Sequence, residues 1–175
     1  MQKVEQVILV DPDDREIGAA EKLAAHVDGG SLHRAFSVMV FDAEGRMLLQ
    51  RRAPGKYHSP GLWTNTCCGH PRPGEAIDRA ARRRLMEEMG FTCELEPAFA
   101  FLYRTDVGGG LTEHEYDHVF VGHYDCDPHP DPQEADAWRW VSPADLRREI
   151  AADPHAFTTW FAMFYEDLLA NAGSA

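Results

Sequence analysis

The chain has 175 residues, of which 44% are hydrophobic and 26% charged, and its formal net charge is −12. That length and balance fit one globular domain over residues 1–175, with a core large enough to need no disulfide staples. The acidity excludes a general nucleic-acid surface, which needs clustered Lys and Arg, although a local basic cluster can still hold a small anion. No apolar run approaches the roughly 20 residues of a membrane span, and the first six residues lack a secretory core, so a cytoplasmic location is expected. Four cysteines that include the adjacent Cys67 and Cys68 read as reduced thiols rather than a disulfide framework.

In chain order, Gln6–Val10 reads as a short strand followed by the turn residues Asp11-Pro12-Asp13-Asp14. Residues 35–42 and 46–52 are apolar strands that predict a hairpin around Ala43-Glu44-Gly45. The stretch 55–74 is irregular and rich in Gly and Pro, and a loop that long inside a compact domain points to function. Residues 75–89 predict a helix, with Ile77, Ala81, Leu85 and Met89 forming one apolar stripe and Gly90 placed to stop it. Strands are expected at 99–104 and 115–124, joined through Gly108-Gly109-Gly110, and again at 137–141. The acidic stretch 125–136 between them reads as a solvated loop. Ser142-Pro143 has the form of an N-cap followed by Pro at the first helical position, and a last amphipathic helix is expected from 158 or 159 to 172. Mixed strands with helices packed against them make an α+β fold of the α/β/α sandwich kind.

The segment from Gly69-His70-Pro71-Arg72-Pro73-Gly74-Glu75 to Arg83-Arg84-Leu85-Met86-Glu87-Glu88-Met89-Gly90 resembles a Nudix box, a loop and helix that set carboxylates against a metal-bound diphosphate. One position departs from that pattern. Where the box has its first metal-binding Glu in the helix, this chain has Arg84. Residues 84 and 88 share a helical face, as do 83 and 87, so a row of carboxylates becomes one cation site beside a phosphate clamp.

Further segments resemble type 1 isopentenyl-diphosphate delta-isomerases of the Nudix fold. They are Glu21-Lys22-Leu23-Ala24-Ala25-His26, Leu32-His33-Arg34-Ala35-Phe36-Ser37, Leu49-Gln50-Arg51-Arg52-Ala53, Trp63 through Pro71, Glu113-His114-Glu115 and Ala156-Phe157-Thr158-Thr159-Trp160. The likeness covers nearly the whole chain. It implies a Nudix-type sandwich with a mixed sheet, and interconversion of isopentenyl and dimethylallyl diphosphate by a 1,3-proton shift without redox chemistry or hydrolysis.

By the same resemblance His26, His33, His70, Glu113 and Glu115 are metal ligands, a donor set suited to one Mn²⁺, Zn²⁺ or Mg²⁺. Lys22, Arg52, Lys56 and Arg84 are the expected diphosphate clamp, and Glu88 the ligand of a diphosphate-bridging Mg²⁺. Cys68 takes the catalytic position, its thiol pKa expected to be lowered by a metal-bound His and a helix N-terminus. Glu115 with Tyr103 is expected to protonate the terminal methylene, the Cys68 thiolate to remove a proton from C2, and Trp160 to cover the cationic carbons. Cys67, Cys93 and Cys126 are assigned to packing. His58, His114, His118, His123, His129 and His155 are read as solvated or hydrogen-bonded histidines. The expected partner is a small isoprenoid diphosphate, with no nucleic acid or membrane. The alternatives are a Nudix pyrophosphohydrolase acting on nucleotide diphosphates, which the missing Glu at position 84 disfavours, and a metal-stabilised binding module of the same fold.

Overall fold

A computed structural model describes residues 5–172, so the first four residues read for a leader lie outside it. Its centre is strand β3 (His33–Phe41), which runs parallel to β8 (Leu111–His123) on one side and antiparallel to β6 (Cys67–Gly69) on the other. The side chains of β3 alternate strictly. Phe36, Val38 and Val40 pack toward helix α1 (Ile77–Met89), while Met39 and Phe41 join the core under α2 (Pro143–Ala152) and α3 (Thr159–Ala172). The sheet is thus buried on both faces, which explains the nearly continuous apolar run in β3. The mixed sheet between helical layers is the α+β sandwich expected.

β4 (Met47–Arg52) pairs with β5 (Trp63–Thr64) and with β9 (Ala135–Val141), and β7 (Leu95–Gly108) completes the hairpin with β8. The turn expected at 43–45 forms, closed by Gly45 N–H donating to the Asp42 carbonyl at 3.0 Å. The hairpin itself does not continue. β3 and β4 share one registered pair, Phe41 with Met47, and then diverge to different partners. The β7–β8 hairpin is longer than expected and turns at Gly109-Gly110, where every glycine from 108 to 110 has positive φ.

The box helix starts at Ile77 and ends where Gly90 adopts φ 73°, its N–H donating to the Met86 carbonyl. No side chain could replace that glycine freely, because an added Cβ would lie 2.2 Å from the His129 carbonyl oxygen. His129 and Asp131 in turn donate their N–H groups to the last carbonyls of α1, at Met89 and Glu88. The loop 125–136 is therefore fastened to the box helix. Ser142 caps α2 as expected, its Oγ accepting from Asp145 N–H at 3.1 Å. Strand β2 (Glu16–Glu21) was not expected. It pairs with β1 (Gln6–Val10) at the sheet edge, almost wholly exposed. All four cysteines are free; Cys67 is buried as assigned, but Cys126 is exposed and packs nothing. Among the described residues no helix is long and apolar enough to cross a membrane.

Candidate active site

The register of the sheet assembles the site. His33 sits directly beside Glu115 in the β3–β8 pair, and Tyr103 lies opposite Glu115 in the β7–β8 pair. Ser37 lies opposite Cys68 in the β3–β6 pair, and His70 follows β6 immediately. A short 3₁₀ turn, Ala24–His26, brings His26 to the same point.

Four donors converge there. The Nε2 atoms of His70, His33 and His26 lie 2.9, 3.4 and 4.0 Å from Glu115 Oε1. The four ligand atoms all fall within 4.8 Å of one another. His26 Nδ1 is held by the Lys22 carbonyl at 2.6 Å and His33 Nδ1 by the Ser31 carbonyl at 2.8 Å. Such bonds place hydrogens on Nδ1 and turn the Nε2 lone pairs inward. His26 Nε2 is fully buried with no hydrogen-bond partner, and His33 Nε2 faces His70 Nε2 at 3.2 Å. An orphaned buried nitrogen beside two imidazoles and a carboxylate fits a divalent cation and fits little else. Burial pushes the His70 pKa down to about 4, outweighing Glu115, so the imidazole is in the neutral, ligating form.

Glu113 is not part of that group of four. Its carboxylate meets the Tyr103 hydroxyl at 3.0 Å and His58 Nε2 at 3.8 Å. Tyr103 also donates to Glu115 Oε2 at 2.6 Å, so one phenolic hydrogen lies between two buried carboxylates. Burial and the neighbouring Glu115 charge raise Glu113 well above the usual carboxylate range. Burial acts upward on Glu115 as well, but the His33 and His70 imidazoles packed against it outweigh burial and hold this carboxylate well below that range.

Cys68 corrects the expectation drawn from sequence. Burial and the Asp117 charge push its thiol up, not down, and outweigh the hydrogen bonds with Ser37 and Asn65, which act the other way. Without metal, the thiol form of Cys68 and the carboxylate form of Glu115 are the favoured ones.

These groups line a cavity of about 480 Å³ whose wall also contains Lys22, Arg52, Lys56 and Arg84, with Trp160 at its apolar side. The structure brings the whole expected clamp together, but most of it is already paired. Lys22 binds Glu5 at 2.8 Å, Lys56 binds Glu134, and Arg84 binds Glu88, Glu87 and Glu134. Glu88 has both oxygens occupied, by Arg84 and by Gln50 Nε2 at 2.8 Å. Arg52 is different. Among the described residues it forms no ion pair with a carboxylate, donating instead to His58 Nδ1 at 3.1 Å while its guanidinium lies 5.6 Å from the Trp160 ring.

Sequence reasoning missed three of these residues. His58, read as a solvated or carboxylate-bonded histidine, does lie near Glu113 but is also in the cavity wall, and burial followed by the Arg52 charge lowers its pKa to about 3. Glu134 comes from the supposedly solvated acidic loop and neutralises two clamp cations. Asp117 lies beneath Cys68, with burial and Glu115 raising its pKa to about 8. Only the alternation Glu113, Glu115, Asp117 along one strand face signalled it.

Comparison with known proteins agrees with this geometry. Residues 31–161 match the NUDIX domain. The chain is 56% identical over 158 residues to isopentenyl-diphosphate Delta-isomerase 2 of Aromatoleum aromaticum, covering 90% of this chain and 83% of that one. It is also 56% identical over 162 residues to the isopentenyl-diphosphate Delta-isomerase of Burkholderia multivorans, covering 93% and 92%. Among solved structures, DR0079 from Deinococcus radiodurans superposes with a TM-score of 0.77 at 20% identity over 96% of this chain and 99% of its own. The MutT protein of Methanosarcina mazei does so with a TM-score of 0.65 at 19% identity, over 82% and 96%. Those two likenesses show the fold; the sequence matches show the lineage, and the chain belongs to the isopentenyl-diphosphate Delta-isomerase family of NUDIX-domain proteins.

Proposed function

We propose that this site interconverts isopentenyl and dimethylallyl diphosphate by a 1,3-proton shift, with Cys68 and Glu115 as the proton-transfer pair. The observation that carries the reading is their placement in one cavity wall, beside a cluster of four cations. An alkene is a very poor base. Protonating it needs an acid in contact with the double bond, a dry pocket and cover for the cation that develops.

Lys22, Arg52, Lys56 and Arg84 hold the diphosphate, whose binding energy orients the five-carbon end. Arg52 is free to engage first. Arg84, once drawn from Glu88 toward the anion, would leave a Glu88 oxygen that would hold the Mg²⁺ carried by the diphosphate. From the resting arrangement Cys68 has the hydrogen to give and Glu115 the lone pair to receive one, and the two exchange roles in the opposite direction. Tyr103 steadies Glu115 through its 2.6 Å hydrogen bond. Trp160 offers its ring face to the tertiary carbocation, an interaction worth roughly 2 kcal/mol when desolvated.

His26, His33, His70 and Glu115 would hold one Mn²⁺, Zn²⁺ or Mg²⁺, with Glu113 next to them as a further carboxylate. When bound, that ion supplies positive charge that fixes Glu115 and tunes its proton affinity.

The hydrolase alternative needs a row of free carboxylates on α1. Here Arg84 occupies one position of that row and neutralises its neighbours Glu87 and Glu88. Two assays of the purified protein with Mg²⁺ separate the readings. Cys68→Ala should lose nearly all isomerisation, and a panel of nucleoside diphosphate derivatives should release no phosphate. Near-wild-type isomerisation by Cys68→Ala removes the sulfur from the mechanism, and robust phosphate release without isomerisation reverses the assignment.

A further inference from the structure

Beneath Cys68 runs a buried polar chain that the proton-transfer pair does not itself require. Asn65 donates through Nδ2 to the Val38 and Cys67 carbonyls, at 3.1 and 2.9 Å. Those two bonds leave only one orientation for its amide, with Oδ1 toward the sulfur. That oxygen accepts from Cys68 Sγ at 3.2 Å and from Thr64 Oγ1 at 3.0 Å. On the other side Ser37 Oγ lies 3.6 Å from the same sulfur and donates its hydrogen to Asp117 Oδ2 at 2.7 Å. The bond to Asp117 fixes the Ser37 hydroxyl against the sulfur. Asn65, Thr64, Ser37 and Asp117 are all buried.

The chain also extends outward. Thr64 Oγ1 accepts from Thr158 Oγ1 at 2.9 Å, and Thr158 starts α3 by accepting from Ala162 N–H, two residues before Trp160. One buried run of hydrogen bonds thus joins the segment bearing Trp160 to the side chain of Cys68.

We infer that Asn65 and Ser37, the latter anchored by Asp117, are positioning residues that lock the Cys68 side chain in the rotamer facing the cavity. The inference rests on the proposed role of Cys68. Its physical content is geometric. A thiol has one hydrogen and soft, weakly directional bonding, so a lone cysteine in a cavity wall can change rotamer at small cost. A fixed acceptor on one side of Sγ and the buried Ser37 hydroxyl on the other remove that freedom. Proton transfer to carbon tolerates little misplacement, and displacement of about 1 Å can cost on the order of 10²-fold in rate. Substrate binding, carried by the distant cations, should be indifferent to the same displacement.

The test compares Ser37→Ala, Asn65→Ala, Ser37→Thr and Cys68→Ala. In variants whose thermal melts show a folded protein, Ser37→Ala and Asn65→Ala should lower kcat roughly tenfold or more while KM stays within about twofold. Ser37→Thr, which keeps the hydroxyl, should recover most of the loss. A second measurement uses the wild-type protein and so does not depend on how the variants fold. The infrared S–H stretch, assigned to Cys68 by difference from Cys68→Ala, should be one narrow band shifted to the low frequency of a strongly bonded thiol. Wild-type kcat in Ser37→Ala and Asn65→Ala alongside an inactive Cys68→Ala overturns this inference alone, as does a Cys68 band at the position of a free thiol. An active Cys68→Ala instead overturns the reading beneath it.

Discussion

Gly69 is the residue at which packing and substrate binding meet, and Gly69→Ala tests both. The glycine lies in β6 opposite Phe36, so its backbone is fixed by the sheet register. An added Cβ would stand 2.8 Å from Phe36 Cζ and 3.2 Å from Arg84 Cγ. Arg84 can move, being a long side chain. Phe36 cannot move cheaply, because it is fully buried in the cluster with Val38, Cys67 and Leu85. Overpacking of this kind costs about 1–3 kcal/mol. For a chain of this size each kcal/mol moves the melting temperature by roughly 2–4 °C, so the expected loss is about 2–12 °C. Displacement of Arg84 also disturbs its pairs with Glu88 and Glu134 and its reach toward the diphosphate, so KM should rise several-fold. Scanning calorimetry and steady-state kinetics read the two effects. A melting temperature within about 1 °C of wild type together with an unchanged KM would refute the reasoning, since the close contact would then be absent.

Three other outcomes follow from the same geometry. Glu115→Gln should cost far more metal affinity by calorimetric titration than Glu113→Gln, because only Glu115 touches all three imidazoles; equal losses would contradict the four-donor site. In metal-free protein the depressed His70 contributes stability that is complete above pH 6.5, its unfolded value, and is lost as pH falls toward about 4. The melting-temperature gap between wild type and His70→Gln should therefore narrow over that window, and a constant gap would contradict it. Trp160→Leu should lower kcat by roughly 30-fold, the equivalent of about 2 kcal/mol, with a smaller change in KM. An effect confined to KM would make Trp160 a wall rather than a cation-stabilising face.

Much of this was legible in the sequence, for physical reasons. The box helix has a clear 3.6-residue stripe and a glycine that only a left-handed cap explains. The capped α2 carries its start signal in Ser142-Pro143. The edge strand β2 was illegible because Glu16–Glu21 is exposed on both faces, so no alternation marks it; pairing with β1 alone makes it a strand. The β3–β4 divergence was hidden because a local turn signal says nothing of where strands go afterward. At the site, residues with characteristic local contexts were found. Glu134 was not, since its value lies in reaching Arg84 from 50 residues away, and an acidic loop reads as solvated. His58 failed for the same reason, lying in an irregular loop that only folding folds back over Trp160. The lowered Cys68 pKa was inferred from neighbours in sequence, whereas desolvation by the folded core decides it.

The most direct test of the central claim is proton magnetic resonance of isopentenyl diphosphate incubated with the metal-loaded protein in D₂O. The account predicts deuterium entering the methyl group as dimethylallyl diphosphate accumulates, with neither event in Cys68→Ala or Glu115→Gln. Accumulation of dimethylallyl diphosphate by both variants at the wild-type rate would contradict it.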